Sequence, residues 1–248
     1  MPTLYLRLEK EKVSPYVIFS GDPSRVKRVA SMLDDAYELA QNREYVTYTG
    51  KYKGVPITVT STGIGGPSTA IAMEEMYECG MEVAIRIGTV MGLKDNLGKM
   101  IIPNAAMRKE STSKEYVDAS YPAVSDMNLV QALNNSAENL GLAYENGIVC
   151  SLDRFYGDMK RSKLSKEMKI DTEEVFNELK GYNISGIDME SGTLLTLANL
   201  MGIKGAVTTL TTVSQNVDQT LENRDEMDDN MLKLVLDGIV NYHNEYKV

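Results

Sequence analysis

The strongest constraint on this chain is a regular alternation of short, β-rich apolar runs with helix-period patterns, unbroken by any linker. Tyr16–Ser20 (YVIFS) reads as a strand. The GDPSRVKRVASML segment after it reads as a turn and a helix, with Asp22 as N-cap and Pro23 as the first helical residue. Tyr45–Thr49 and Pro56–Ser61 read as two strands around the turn at Lys53-Gly54. In GPSTAIAMEEMYECG, Ala72, Met76 and Cys79 recur at i, i+4 and i+7, the period of an amphipathic helix. Val83–Thr89 (VAIRIGT) is a strand, and so is Lys99–Ala105 with its neighbours. Met127–Leu140 is a helix closed by Gly141, Gly147–Leu152 a strand, and the charge-rich Lys160–Lys180 a solvated helix or flap. Ser185–Asp188 begins a strand or turn, Met189–Leu200 is an apolar helix ending near Gly202, Ala206–Val213 is a Thr-rich strand and Met227–Tyr246 a long closing helix. This pattern predicts one α/β domain over residues 1–248, built as three α/β/α layers.

Charge narrows the function classes. The chain has 35 acidic against 26 basic residues and a formal net charge of −9, which argues against a nucleic-acid binder, whose affinity comes from a basic surface. A small anion held by a few converging arginines remains compatible. No run approaches the ~18 apolar residues of a membrane span, and the N-terminus lacks the apolar core of a secretory signal. Neither Cys79 nor Cys150 sits in a CxxC pair, so zinc and disulfide frameworks are not expected and a reducing cytoplasm is the expected location. The lone histidine, His243, reads as a solvent-exposed helix end, which leaves no basis for a Ser-His-Asp or Cys-His mechanism.

The candidate chemistry therefore rests on charged residues in unusual places. Arg86 lies inside VAIRIGT, where a charge is costly unless paired. It reads either as a buried ion pair or as an anion ligand at the C-terminal end of a strand, where α/β sheets place their sites. The second reading is favoured, because Gly88 and Thr89 add a close backbone approach and a hydroxyl. Arg25 follows a turn at a helix start, a geometry that suits phosphate, although a surface arginine behind a cap is the commoner case. STGIGGPS (Ser61–Ser68) is a glycine-rich strand-to-helix connection without the spacing of a P-loop. Asp188 and Glu190 head an apolar helix, either as caps favoured by its dipole or as acceptors for sugar hydroxyls. Taken alone, these residues favour the caps.

In combination, GDPSRV, NREYVTYTG, TSTGIGGPSTAIAMEE, IRIGT, TSKEY with YPAV, FYG and DMESGTLL, spread over about Tyr16–Leu195, resemble the uridine phosphorylases of the nucleoside phosphorylase-I superfamily. Purine nucleoside phosphorylases and methylthioadenosine nucleosidases share that fold. The resemblance implies a central mixed, partly barrel-like sheet flanked by helices. It implies a homo-oligomer, a hexamer built as a trimer of dimers or at least a dimer, with sites shared across each dimer. It also implies reversible phosphorolysis of a nucleoside, uridine favoured, to free base and ribose 1-phosphate. Inorganic phosphate is then the co-substrate, no other organic cofactor is expected, and the pathway class is pyrimidine salvage.

By motif, Gly21, Arg25, Arg86 and Thr89 would hold phosphate, joined by Arg43 from a neighbouring subunit. Met189 and Glu190 would hold ribose. Phe155, Asp158, Arg161 and Met91 would border the base. Some members hold potassium on the dimer axis, and its ligands would map to Glu44, the Ile64 carbonyl and Ser68. Arg86, Arg25 and Glu190 would carry catalysis, since ribosyl transfer through an oxocarbenium-like state needs placement and charge complementarity more than a nucleophile on the protein.

Three departures concern the ribose and base. Thr3-Leu4-Tyr5 stands where many members have a histidine that reaches the neighbour's ribose. Met91 replaces a glycine bordering the base, and Asp158-Met159 replace the glutamine that pairs with uracil. Two alternatives follow: a purine nucleoside phosphorylase, weakened because Gln215 follows Thr212-Val213-Ser214 where purine members usually carry an acid, and a degenerate nucleoside-binding homologue whose pocket Met91 fills.

Overall fold

The computed structural model describes residues 1–215 and 219–246. In chain order, β1 (Tyr16–Ser20), α1 (Pro23–Ser31), β2 (Asp34–Asn42), β3 (Tyr45–Tyr52), β4 (Val55–Ser61), α2 (Gly66–Glu78) and β5 (Val83–Gly92) form the first half. Then come β6 (Met100–Ile101), β7 (Ala105–Arg108), α3 (Thr112–Tyr116), β8 (Ala123–Val124), α4 (Met127–Asn139), β9 (Tyr144–Glu145) and β10 (Ile148–Ser151). A π-type turn (Phe155–Met159), α5 (Lys163–Glu167), α6 (Thr172–Gly181), β11 (Gly186–Asp188), α7 (Ser191–Met201), β12 (Lys204–Val213) and α8 (Arg224–Tyr246) complete it.

Among the described residues, twelve strands join in one mixed sheet. β5 pairs in parallel with β1 over Val83–Ile87 and with β12 over Val83–Met91, while its last two residues pair antiparallel with β11. The sheet therefore branches at β5 instead of running as a flat ribbon, consistent with the mixed, partly barrel-like centre expected. β2, β3 and β4 form an antiparallel meander on one side; β11, β10, β7 and β8 continue the sheet on the other.

Two core clusters cover opposite faces, and strand parity decides which residue serves which. Tyr16, Ile18, Val83, Ile85 and Ile87 pack with α1, α4 and α8. Val17, Phe19 and Ala84 pack with α2 and α7. Arg86 thus shares Ala84's side and faces α7.

Several sequence expectations need correction. Lys99–Ala105 is not one strand: Pro103, with no N–H to donate, interrupts it, leaving β6 and β7. Residues 34–42 form a strand that the sequence pattern does not announce, because they are mostly exposed and lack an apolar period. α8 starts three residues early, at Arg224. His243 is half-buried, not a free helix end, and its Nδ1 lies 3.0 Å from the Tyr16 hydroxyl. Among the described residues, no helix is long and apolar enough to cross a membrane.

Candidate active site

At the C-terminal ends of β1 and β5 the chain encloses a cavity of about 490 Å³. Gly21, Arg25, Arg86, Thr89, Met91, Phe155, Met189 and Glu190 all line it, as do Asp22, Asp188 and Arg224. Eight residues expected at one site from scattered motifs therefore converge.

Arg86 is 4% exposed. Its Nε donates to Asp188 Oδ2 at 3.1 Å and its Nη2 to Glu190 Oε2 at 2.6 Å. Arg86 is therefore a buried ion pair that also lines the cavity: its Nε/Nη2 edge is spent on carboxylates, and Nη1 has no protein partner among the described residues. Burial pulls the guanidinium's pKa down, but the Glu190 and Asp188 carboxylates outweigh it and leave the group above its ordinary value. Gly88 makes room for this arrangement, since a Cβ there would lie 2.7 Å from Arg86 Nη2 and 2.9 Å from Cζ.

The two acids at the head of α7 divide the work. Asp188 is the cap: it accepts from the Ser191 backbone N–H (3.1 Å) and hydroxyl (2.5 Å) and from the Ser151 hydroxyl (2.6 Å). Glu190 makes no side-chain cap. Its Oε1 instead reaches across to the Gly65 N–H at 2.7 Å, so the cap reading fails for Glu190. Burial raises the Glu190 carboxyl above its usual range; Arg86 and the N–H groups of Gly65 and Met189 oppose this, and Asp188 adds to it.

Arg25 is not the surface residue that helix starts usually show. It is 5% exposed and is held by Asp228 of α8, with Nη2 3.0 Å and Nε 3.3 Å from Oδ2. Among the described residues its Nη1 meets only the Ser20 hydroxyl, at 3.4 Å. Gly21 is tightly placed too: a Cβ there would meet the Gly63 carbonyl at 3.1 Å. The Thr89 hydroxyl has no protein partner among the described residues.

The opposite end of the cavity is apolar. Met91, Met159 and Ile187 belong to a third core cluster, against which Phe155, Met189 and Val213 pack. Asp158 and Arg161, expected beside the base, do not line this cavity. The backbone reverses at Gly157 (φ 120°), and Asp158 turns back to pair with Arg154. Arg161 is exposed, with Nε donating to Thr172 Oγ1 at 2.9 Å. Gln215 is also occupied outside the cavity lining, donating to Glu173 Oε2 at 2.7 Å and accepting from Lys180.

Arg43 lies apart from its own chain's cavity, exposed in the β2–β3 hairpin at φ 53° and 5.6 Å over the Tyr5 ring. Glu44, Ile64 and Ser68 gather around Gly63: a Cβ there would meet Glu44 Cγ at 3.1 Å and Ser68 Oγ at 3.8 Å, and Ser68 Oγ donates to the Ile64 carbonyl at 3.3 Å. The sequence reading missed Asp228 and Arg224, which sit in the acidic run ENRDEMDD and look like an ordinary solvated helix start.

A family model described as "Phosphorylase superfamily" matches residues 15–237, and the chain belongs to that family. Among its relatives is a uridine phosphorylase of Thermococcus kodakarensis, 45% identical over 194 residues, covering 77% of this chain and 70% of the relative. A solved uridine phosphorylase from Vibrio fischeri ES114 superposes with a TM-score of 0.84 at 31% identity, covering 98% of each chain. A purine nucleoside phosphorylase from Toxoplasma gondii, solved in complex with immucillin-H, superposes with a TM-score of 0.84 at 30% identity, covering 99% of this chain and 98% of that one.

Proposed function

We propose that this chain is a nucleoside phosphorylase, a pentosyltransferase that cleaves uridine with inorganic phosphate to uracil and ribose 1-phosphate. One observation carries the reading: two buried arginines, each clamped on carboxylates through its Nε/Nη2 edge, line one cavity beside a buried glutamate. Phosphate would lie against Arg25, Arg86, Thr89 and Gly21. Glu190, fixed by Arg86 and the Gly65 N–H, would accept the ribose hydroxyls, with Met189 beneath the sugar. Clamped arginines orient the anion while their own carboxylates keep it incompletely neutralised, so a phosphate oxygen retains its nucleophilicity toward C1′. These groups are set before reaction and need no reorganisation as charge develops.

The site's charge favours completion by a second subunit. Arg25, Arg86 and Arg224 balance Asp22, Asp188 and Glu190 along the cavity, so a phosphate dianion would make it negative. The partner's Arg43, on an exposed hairpin, supplies the missing cation in a homodimer or in a hexamer of three dimers. Glu44, the Ile64 carbonyl and Ser68 offer oxygen donors in one place, the donor type that hard cations take, and potassium is the ion this reading assigns there. When bound, the ion would fix the loop before α2. A cytoplasmic role in pyrimidine salvage is part of this reading.

The purine alternative is weaker because Gln215 is engaged with α6, and the acids lining the cavity stand with the arginines instead of at the apolar end. Measuring base release from uridine, thymidine, adenosine and inosine, with and without phosphate, tests the proposal. Uridine cleaved fastest and only with phosphate is expected. Faster inosine or adenosine cleavage transfers the assignment to purines, phosphate-independent release indicates a hydrolase, and binding without release indicates the degenerate homologue.

A further inference from the structure

Resting on the phosphorylase reading, we infer that Asp228 is a positioning residue for phosphate, acting through Arg25. Arg25 and Arg28 lie three residues apart on α1, so both side chains reach the same point of α8. The group they meet there is one carboxylate. Asp228 Oδ2 accepts from Arg25 Nη2 at 3.0 Å, Arg25 Nε at 3.3 Å and Arg28 Nη1 at 3.0 Å. Both partners of the inner pair are buried, with side chains 6% exposed. Arg28 has further acceptors at the surface, Asp229 and the Asp225 carbonyl.

Two consequences follow from this sharing. The Nε/Nη2 edge of Arg25 is pinned, which leaves Nη1 as the nitrogen available to an anion. One carboxylate divided between two guanidiniums also leaves Arg25 with net positive character toward the cavity. Asp228 thus serves Arg25 as Asp188 and Glu190 serve Arg86, from a different helix. Without it, Asp22, which lines the same cavity and already feels the Arg25 charge, competes for the guanidinium. Arg25 would then swing toward Asp22, and phosphate would have to displace it.

The test is steady-state kinetics with each substrate varied in turn. Asp228→Asn is expected to raise KM for phosphate at least tenfold while KM for uridine stays within twofold, and Asp228→Glu, which keeps the charge, recovers part of the loss. Asp229→Asn, which touches only Arg28, leaves both constants unchanged. A folded Asp228→Asn protein whose phosphate KM is unchanged or lowered overturns the inference, as does an equal rise in both KM values. Where Asp228→Asn is insoluble, Asp228→Glu reads the same device: the longer side chain shifts the grip on Arg25 and KM for phosphate rises several-fold with KM for uridine within twofold, whereas an unchanged phosphate KM overturns the inference. Wild-type protein without phosphate-dependent cleavage refutes the phosphorylase reading itself. Wild-type phosphorolysis with an indifferent Asp228→Asn refutes this inference alone.

Discussion

Gly88→Ala is a one-methyl test of the Arg86 clamp. The backbone at Gly88 does not occupy the left-handed region, so alanine is tolerated by the strand and even reduces the entropy of the unfolded chain. The conflict lies with a side chain: the new Cβ would stand 2.7 Å from Arg86 Nη2, 2.9 Å from Cζ and 3.3 Å from Nη1. A free guanidinium would move aside at little cost. This one is held at 2.6 Å by Glu190 and at 3.1 Å by Asp188, so it moves only by lengthening one of those bonds. Losing one charge-assisted bond costs about 1.5–3 kcal/mol, or about 10- to 150-fold in rate at 1.36 kcal/mol per decade. Phosphorolysis at varied phosphate should therefore show kcat/KM for phosphate reduced by about 10- to 150-fold, and the same lost bond should lower the melting temperature by roughly 3–12 °C. A folded Gly88→Ala protein with unchanged phosphate kinetics would refute the claim that Arg86 works from this fixed position.

Three further outcomes are expected. Burial pushes the Cys150 thiol from 9.0 up to about 12; the unfolded chain releases that proton first, so stability falls as pH rises from about 9 toward 12. Urea midpoints at pH 8 and 10 should show the fall, a Cys150→Ala chain should show less of it, and equal slopes would contradict the buried-thiol account. Arg43→Ala and Glu190→Ala proteins should each be poorly active, and reassembly of the mixture should restore activity if sites are shared; verified mixed dimers without recovery exclude sharing. Met91→Ala should cost about 2–5 kcal/mol of stability and raise cleavage of 5-substituted uridines relative to uridine, a ratio that stays fixed if Met91 does not border the base.

What the sequence revealed follows from physics that acts locally. A charge inside VAIRIGT and two acids at the head of an apolar helix stand out because each breaks the pattern around it, and Arg86, Asp188 and Glu190 meet in space. Strand parity, once β5 is known, even predicts which face Arg86 serves. The partner of Arg25 was hidden because Asp228 is 203 residues away and its run of acids looks like any solvated helix start. Asp158 was placed beside the base by its motif position, but a motif does not specify side-chain direction; the reversal at Gly157 and the pairing with Arg154 decide that. The 34–42 strand was missed because it is held by pairing with β3 and carries almost no buried face.

Phosphorus NMR of the products tests the central claim most directly. Wild-type protein incubated with uridine and inorganic phosphate should give ribose 1-phosphate in equal amount to uracil, with Arg86→Ala abolishing both together. Uracil released with free ribose and no phosphate ester would contradict the account, because the clamped arginines would then not be holding the attacking group.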